Sequence, residues 1–474
     1  MLRLVIRKEF LVALRDVRLQ VSAIVLLVLM ITAVFVGRHG QKRIHAERTR
    51  AQSTLYDKWV NQGKKHPHSA AHYGQFAFKP KPVLSFLDVG LDNYTGISVF
   101  LEAHKQNEIL FSAAQDGNGM TRFGEMTAAL ILQVLFPLLI IFLSFNIFSK
   151  EREEGTFKLI HAQGVSTHKL FMGKVWGTYA MVLLIFLPII MLAYLLLDQQ
   201  SSNLDSAIPA KFLLLVLGYA LYFLVFVFLC VLISASAKKS GVSMLMALGF
   251  WIVFCIILPK GMTNFADKVY PTPSQFEFKK TIQRKVKNGI DGHNPSDVRL
   301  ASLRKEVMDQ YGVEAIEDLP VNWSGIAMQA GEEYTDQVYD AEFEKVEKIF
   351  HRQNRLSEWA GFINPYLAVR HLSMALAGTD FHHHVAFAKA AEDYRRRFVK
   401  VMNKDMELNH KPGVAYGDYN VGKEMWSSIE PFGYEPPSVF TILSNGWVSI
   451  AALVFWLVGL LLFSSFYAPK ISKL

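Results

Sequence analysis

The residues whose types and spacing suit chemistry fall into three groups. The first is Lys150-Glu-Arg-Glu-Glu-Gly-Thr156, inside a polar stretch that runs from Asn146 to Leu170 between two long apolar runs. Its charges alternate in sign and stop at Gly155, where the missing Cβ lets the backbone turn. Such a face makes rim salt bridges to a partner; read plainly, it is a solvated juxtamembrane loop. The second group is histidine: His66, His68 and His72 in His66-Pro-His-Ser-Ala-Ala-His72, and His382, His383 and His384 with His371 upstream. Imidazole nitrogens bind zinc or copper. However, three consecutive histidines on a helix point about 100° apart, so at most two reach one ion. With no cysteine or tight carboxylate cluster nearby, surface or packing roles are the expected reading, and no metal is assigned. The third group is carboxylate pairs, Glu332-Glu333 and Glu392-Asp393, which lie on ordinary charged helical faces.

What is missing narrows the chemistry further. Gly-Lys pairs occur at 63–64, 173–174 and 422–423, but none has the G-x-x-x-x-G-K-[ST] spacing that wraps phosphates in backbone N–H groups. Neither G-x-S-x-G nor H-E-x-x-H is present. The chain is therefore expected to be no enzyme and to hold no cofactor, and any ATP it uses is bound by another chain.

These groups must be positioned by a chain of 474 residues, 51% hydrophobic, with a formal charge of +9 and two cysteines. The apolar residues cluster into runs long enough to cross a bilayer as helices, and both Cys230 and Cys255 fall inside them, so no disulfide framework is available. Six spans are expected, at 19–37, 126–148, 170–197, 211–235, 241–259 and 446–468. Residues 1–18 have helical apolar spacing with Arg3, Arg7, Lys8, Arg15 and Arg18 on the other arc, which suits a helix lying in the membrane interface. Basic charge of this kind suits anionic lipid; no base-stacking module points to nucleic acid.

Short loops set the orientation. The loop 149–169 carries Lys150, Arg152, Lys158 and Lys169, the turn 236–240 carries Lys238 and Lys239, and 198–210 carries only Asp198 and Asp205. The positive-inside rule then puts the termini (including the tail 469–474), 149–169 and 236–240 in the cytoplasm. Two large segments, 38–125 and 260–445, are left outside, the second mostly helical and large enough to bury a core. Ionisable residues are nearly absent from the spans, whose polar content is mild: Gln133, Ser144, Thr178, Tyr179, Tyr219 and Tyr222, with Pro137 and Pro188 expected to kink their helices. A carrier powered by ions places charges at mid-membrane. This one is expected to be driven from outside the bilayer.

Glu151-Arg-Glu153, Gly155-Thr156 and Gly173-Lys174, at this spacing between six spans, resemble the ABC-2 type permease subunits of ATP-binding-cassette transporters. His68-Ser-Ala-Ala-His-Tyr-Gly-Gln-Phe-Ala-Phe-Lys-Pro80, Glu102-Ala-His-Lys-Gln-Asn107, Asn364 to Asp380 and Ala390-Ala-Glu-Asp-Tyr-Arg395 resemble a bacterial branch of that family whose extracytoplasmic domain has no assigned function. The resemblance implies an all-α polytopic membrane protein with a mainly helical outer domain of minor β content. It implies that 149–169 docks on a separate ATPase, with Glu151, Arg152, Glu153, Gly155, Thr156, Gly173 and Lys174 as coupling residues. It further implies two ATPase chains holding ATP and Mg, a second permease copy or a sibling, and the bacterial inner membrane. Simple members have short outer loops, so three functions stay open: transport across or out of the membrane; mechanotransmission that moves the outer domain against an envelope partner; or a membrane-anchored metal-binding or enzymatic outer domain.

Overall fold

Among the described residues, six helices are long and apolar enough to cross a membrane: Val17–Val60, Ala128–Glu153, Thr167–Leu195, Ile208–Ser236, Ser240–Val269 and Trp447–Ile471. A computed structural model describes residues 1–110, 126–197, 206–290, 294 and 296–473. Asp198 and Asp205, which weigh in the loop-charge comparison, lie outside the described residues. Within them the chain is helical apart from one two-stranded sheet.

Helix α1 (Leu2–Arg15) ends at Asp16, whose extended backbone (ψ 110°) breaks the helix and whose carboxylate then caps α2 (Val17–Val60) by accepting from the Arg18 N–H. The first span is only the apolar start of α2. At about 1.5 Å per residue its 44 residues run about 66 Å, roughly twice the ~30 Å hydrocarbon core. One unbroken rod thus leads from the spans to the extramembrane part, where Trp59 is buried near its end.

Prolines in the second and fifth spans are handled in the same way. Pro137 and Pro259 each follow a π turn, Ile131–Leu135 and Val253–Ile257. Proline cannot donate to the carbonyl four residues back, and one widened turn relieves the clash. The freed carbonyls find side chains instead. Tyr222 donates to the Gln133 carbonyl (2.8 Å), which Pro137 leaves open, and Trp251 Nε1 donates to that of Val134 (2.9 Å). In the fifth span Asn364 Nδ2 donates to the Phe254 carbonyl (2.8 Å). Pro188 lies inside Thr167–Leu195 with no break in the assigned helix.

Asn364 also caps a 13-residue helix, Pro365–Ala377, whose Leu367, Ala368, Val369 and Leu376 belong to the same buried core as the spans. It is too short to cross a bilayer. It packs between the fourth and sixth spans and ends at Gly378, in the left-handed region (φ 76°). Close approach requires Gly218 on the fourth span, where a Cβ would stand 2.9 Å from Leu372 Cδ2. The segment 260–445 therefore shares the membrane core as well as having one of its own.

That second core joins both long extramembrane segments. Trp59, helix α3 (Pro67–Tyr73), and the antiparallel strands β1 (Gln75–Phe78) and β2 (Ser98–Leu101) pack against Phe387, Phe398 and Met402 of Phe381–Asn409 and against Trp426. Trp59 Nε1 donates to the Trp426 carbonyl (3.1 Å) and the two indoles meet edge to face. The long helix Trp323–Trp359 lies against Phe381–Asn409, and Arg395, 1% exposed, faces Glu332, Asp336 and Glu392 between them.

At the end of Trp323–Trp359, burial pushes Glu358 up to about 7 despite Arg355 nearby, with Asp380 adding to the rise and Asn354 donating to it (2.8 Å). A folded value above the ordinary one means stability declines as pH rises from about 4.5 through 7. Glu358→Gln keeps the acceptor. Thermal unfolding of the detergent-solubilised protein is expected to show a gain on the order of 1–2 kcal/mol at pH 8 that shrinks towards pH 5.

Candidate coupling site

The second span ends in a turn, a short helix Ser149–Glu153 and another, Thr156–Ala162, before Ser166 caps the third span. Gly155 sits between the two short helices at φ 71°, a conformation in which any side chain is strained. Ser234 on the fourth span accepts from the Phe148 N–H (3.1 Å) and donates to the Phe145 carbonyl (2.9 Å), which fixes the turn to the membrane core.

Of the charges expected to couple, Glu151 and Lys174 turn inward. Lys174 is wholly buried; its Nζ donates to Glu9 Oε1 (2.9 Å), Glu151 Oε1 (2.8 Å) and the Ile147 carbonyl (2.7 Å), and it stands over the Phe148 ring. Lys8 donates to the same two carboxylates, at 2.8 Å each. Two cations and two anions thus bind α1, the end of the second span and the start of the third into one unit. Gly173 and Gly177 let α1 come that close: a Cβ on either would lie 2.6 Å from Val5 Cγ1 or 2.8 Å from Glu9 Cβ. This is the small-x-x-x-small packing that lets helix backbones approach.

Arg152 and Glu153 also find partners within the chain. Arg152 donates to the Ala237 carbonyl at the end of the fourth span (2.9 Å) and to the Ile471 carbonyl (3.2 Å). Glu153 accepts from the N–H (3.0 Å) and hydroxyl (2.6 Å) of Ser240 and so caps the fifth span. The Thr156 hydroxyl donates to the Glu151 carbonyl (3.2 Å). The segment therefore touches four of the six spans and α1. The side chains it leaves exposed include Lys150, Glu154, Lys158, Leu159, Gln163, His168 and Lys169, and Leu159 is 64% exposed while Phe157 two residues earlier is buried.

Sequence reasoning missed Lys8 and Glu9 as members of this unit. The signal was there for Glu9: it falls one helical turn from Val5, Ile6 and Ala13, on the buried arc rather than the charged one. The histidines are dispersed. His66 stacks on Tyr416, His371 hydrogen-bonds Ser357 (2.8 Å), His382 lies against His351, and His383 pairs with Asp380. Burial, and then the nearby Lys79, hold His384 down to about 4 against the opposing pull of Asp92. Only His68 and His72 share a face of a helix, with Nε2 atoms 3.2 Å apart.

Comparison with curated proteins finds no match. Family profiles do match: residues 100–269 fit the ABC-2 family transporter protein profile, which takes in the second to fifth spans and 149–169, and residues 275–435 fit a domain of unknown function, DUF3526. With its six apolar helices, the chain is an ABC-2 family transporter membrane protein that carries a DUF3526 domain between its fifth and sixth spans.

Proposed function

We propose that this protein is the permease subunit of an ABC transporter, driven by ATP hydrolysis on a separate chain that docks on 149–169. The observation that carries the reading is the split character of that segment. Its inward side is tied by buried ion pairs and helix caps to α1 and four spans, so a displacement there moves them together. Its outward side offers an exposed large apolar residue, Leu159, with the exposed polar residues Lys158 and Gln163 within a helical turn of it in sequence, the composition of an interface anchor with a polar rim. ATP and Mg belong to the partner. Two ATPase copies and a second permease, identical or sibling, complete the assembly, in a bacterial inner membrane with the termini and 149–169 cytoplasmic and the DUF3526 domain outside.

Mechanotransmission has its own support. Helix α2 runs unbroken from Val17, just after the break at Asp16 that ends α1, to Trp59 in the second core, so movement at its cytoplasmic end reaches the outer domain through a rigid rod rather than a linker. In that reading the partner of the outer domain lies in the envelope. Both readings need the same dock. Leu159→Asp is expected to lower the ATPase stimulation of the reconstituted complex by about 10-fold or more, the effect of losing a hot-spot anchor, while leaving the thermal stability of the isolated permease unchanged.

A further inference from the structure

We propose that His68, His72 and His104 form a binding site for a borderline divalent transition-metal ion, with Glu332 holding His104 in place. One ligand nitrogen from each lies within 4.8 Å of the others. The first two are one turn apart on α3, and their Nε2 atoms are 3.2 Å apart. Two imidazoles on a tetrahedral ion, each about 2.0–2.1 Å from it, have nitrogens about 3.3 Å apart. The three rings surround one point, with centroids 4.6, 5.2 and 5.0 Å apart.

The third ligand comes from a different element and is built into position. Helix α3 ends at Gly74, whose left-handed backbone (φ 64°) lies so close to β2 that a Cβ would sit 2.5 Å from the Leu101 carbonyl. Just beyond β2 the Ala103 N–H donates to the Ala71 carbonyl (3.2 Å), which sets His104 over α3. Among the described residues His104 is the one non-glycine residue with positive φ (69°). Backbone strain of this kind persists where surroundings hold it and collects at functional sites. Here the holder is Glu332, which is buried: its Oε1 accepts from both the backbone N–H (2.7 Å) and Nδ1 (2.6 Å) of His104, and its Oε2 accepts from Arg395 (3.2 Å). With Nδ1 donating to the carboxylate, Nε2 carries the free lone pair. A carboxylate behind a histidine is the usual outer-shell support of a metal ligand.

Three imidazoles with no thiolate suit zinc or copper rather than magnesium or calcium. Three protein ligands leave a fourth position open, so the ion is accessible to water or an exogenous ligand. His72 and His104 are exposed, which gives the ion a path from solvent. All three ligands precede the DUF3526 domain in the chain while Glu332 belongs to it, so the ion would join the two long extramembrane segments.

The test uses the full-length protein in detergent, purified without a histidine tag, stripped with chelator and titrated with Zn(II), then with Co(II) as an optical probe. One ion per chain is expected, with a Co(II) absorption of four- or five-coordinate type. His72→Ala/His104→Ala is expected to abolish it, and Glu332→Gln to weaken binding about 10–100-fold. His382→Ala should leave binding unchanged. A wild-type protein that takes up no more metal than the double variant overturns the site. So does a Co(II) spectrum that survives the double substitution, which would place the ion elsewhere. Should the double variant not fold, a wild-type spectrum that is octahedral or lacking overturns the proposal, and a four- or five-coordinate one weakened by Glu332→Gln upholds it.

Discussion

Lys174→Met is expected to be among the most damaging single substitutions in the chain. Lys174 is wholly buried, and without it Glu9 and Glu151 are left beside each other with only Lys8, whose side chain is 51% exposed, as counter-ion. Removing one partner of a buried ion pair costs about 3–5 kcal/mol, because the remaining charge stays desolvated and unpaired. Arginine is a poor substitute in a site that already excludes solvent, since its planar fork is larger than an ammonium and demands different partners. Thermal unfolding of the purified permease should show the loss. Adding Glu9→Gln to the Lys174→Met background should cost less than Glu9→Gln alone, because the carboxylate being removed is then already without its best partner. Stability within about 0.5 kcal/mol of wild type for Lys174→Met would show that the ion cluster does not hold the unit together.

Arg395→Leu is expected to have a comparable effect in the extramembrane part. The guanidinium faces Glu332, Asp336 and Glu392, and only 1% of its side chain is exposed. Even with it present, burial outweighs the pull of Arg395 and Arg396 and pushes Asp336 up to about 6, with Glu392 and Glu332 adding to the rise. Without Arg395, Asp336 keeps only Arg396 as a cation beside Glu332 and Glu392, and its folded-state value rises further above the unfolded one. A raised carboxylate withdraws stability as pH rises through its folded value. The variant should therefore lose about 3–5 kcal/mol at pH 8 and recover part of it near pH 5, where the carboxylates share protons. Unfolding midpoints at the two pH values check this, and a loss independent of pH would assign the effect to packing alone.

Much of this architecture is legible in the chain because its signals are local. Apolar runs mark six spans, and Pro137 marks a disturbance in the second whose form, a π turn completed by Tyr222, depends on a residue 85 positions later. Strand β1 falls in Gln75-Phe-Ala-Phe78, where aromatic residues alternate with smaller ones, whereas its partner β2 carries no comparable mark. The stretch 149–169 falls inside the matched transporter profile, and a resemblance of this kind does not say which way each side chain points. Glu151 and Lys174 carry the motif and face inward, because Lys174 meets Glu9 across 165 residues and such pairings leave no periodic trace. Helix Pro365–Ala377 is too short to register as a span and too apolar to be read as surface, so its place between two spans appears only in three dimensions. His104 lies in the stretch Glu102–Asn107, whose resemblance gives it no role. Only the docking of α3 on β2 brings it to His68 and His72.

The central claim is that the outward face of 149–169 receives a separate ATPase. The most direct measurement replaces Leu159 with a photo-crosslinking amino acid in the native membrane. Leu245, equally apolar and 72% exposed near the start of the fifth span, serves as the comparison. The claim requires a strong crosslink from position 159 to a nucleotide-binding chain, changed by ATP, and none from position 245. No crosslink to such a chain from position 159, or the same yield from both positions, would contradict it.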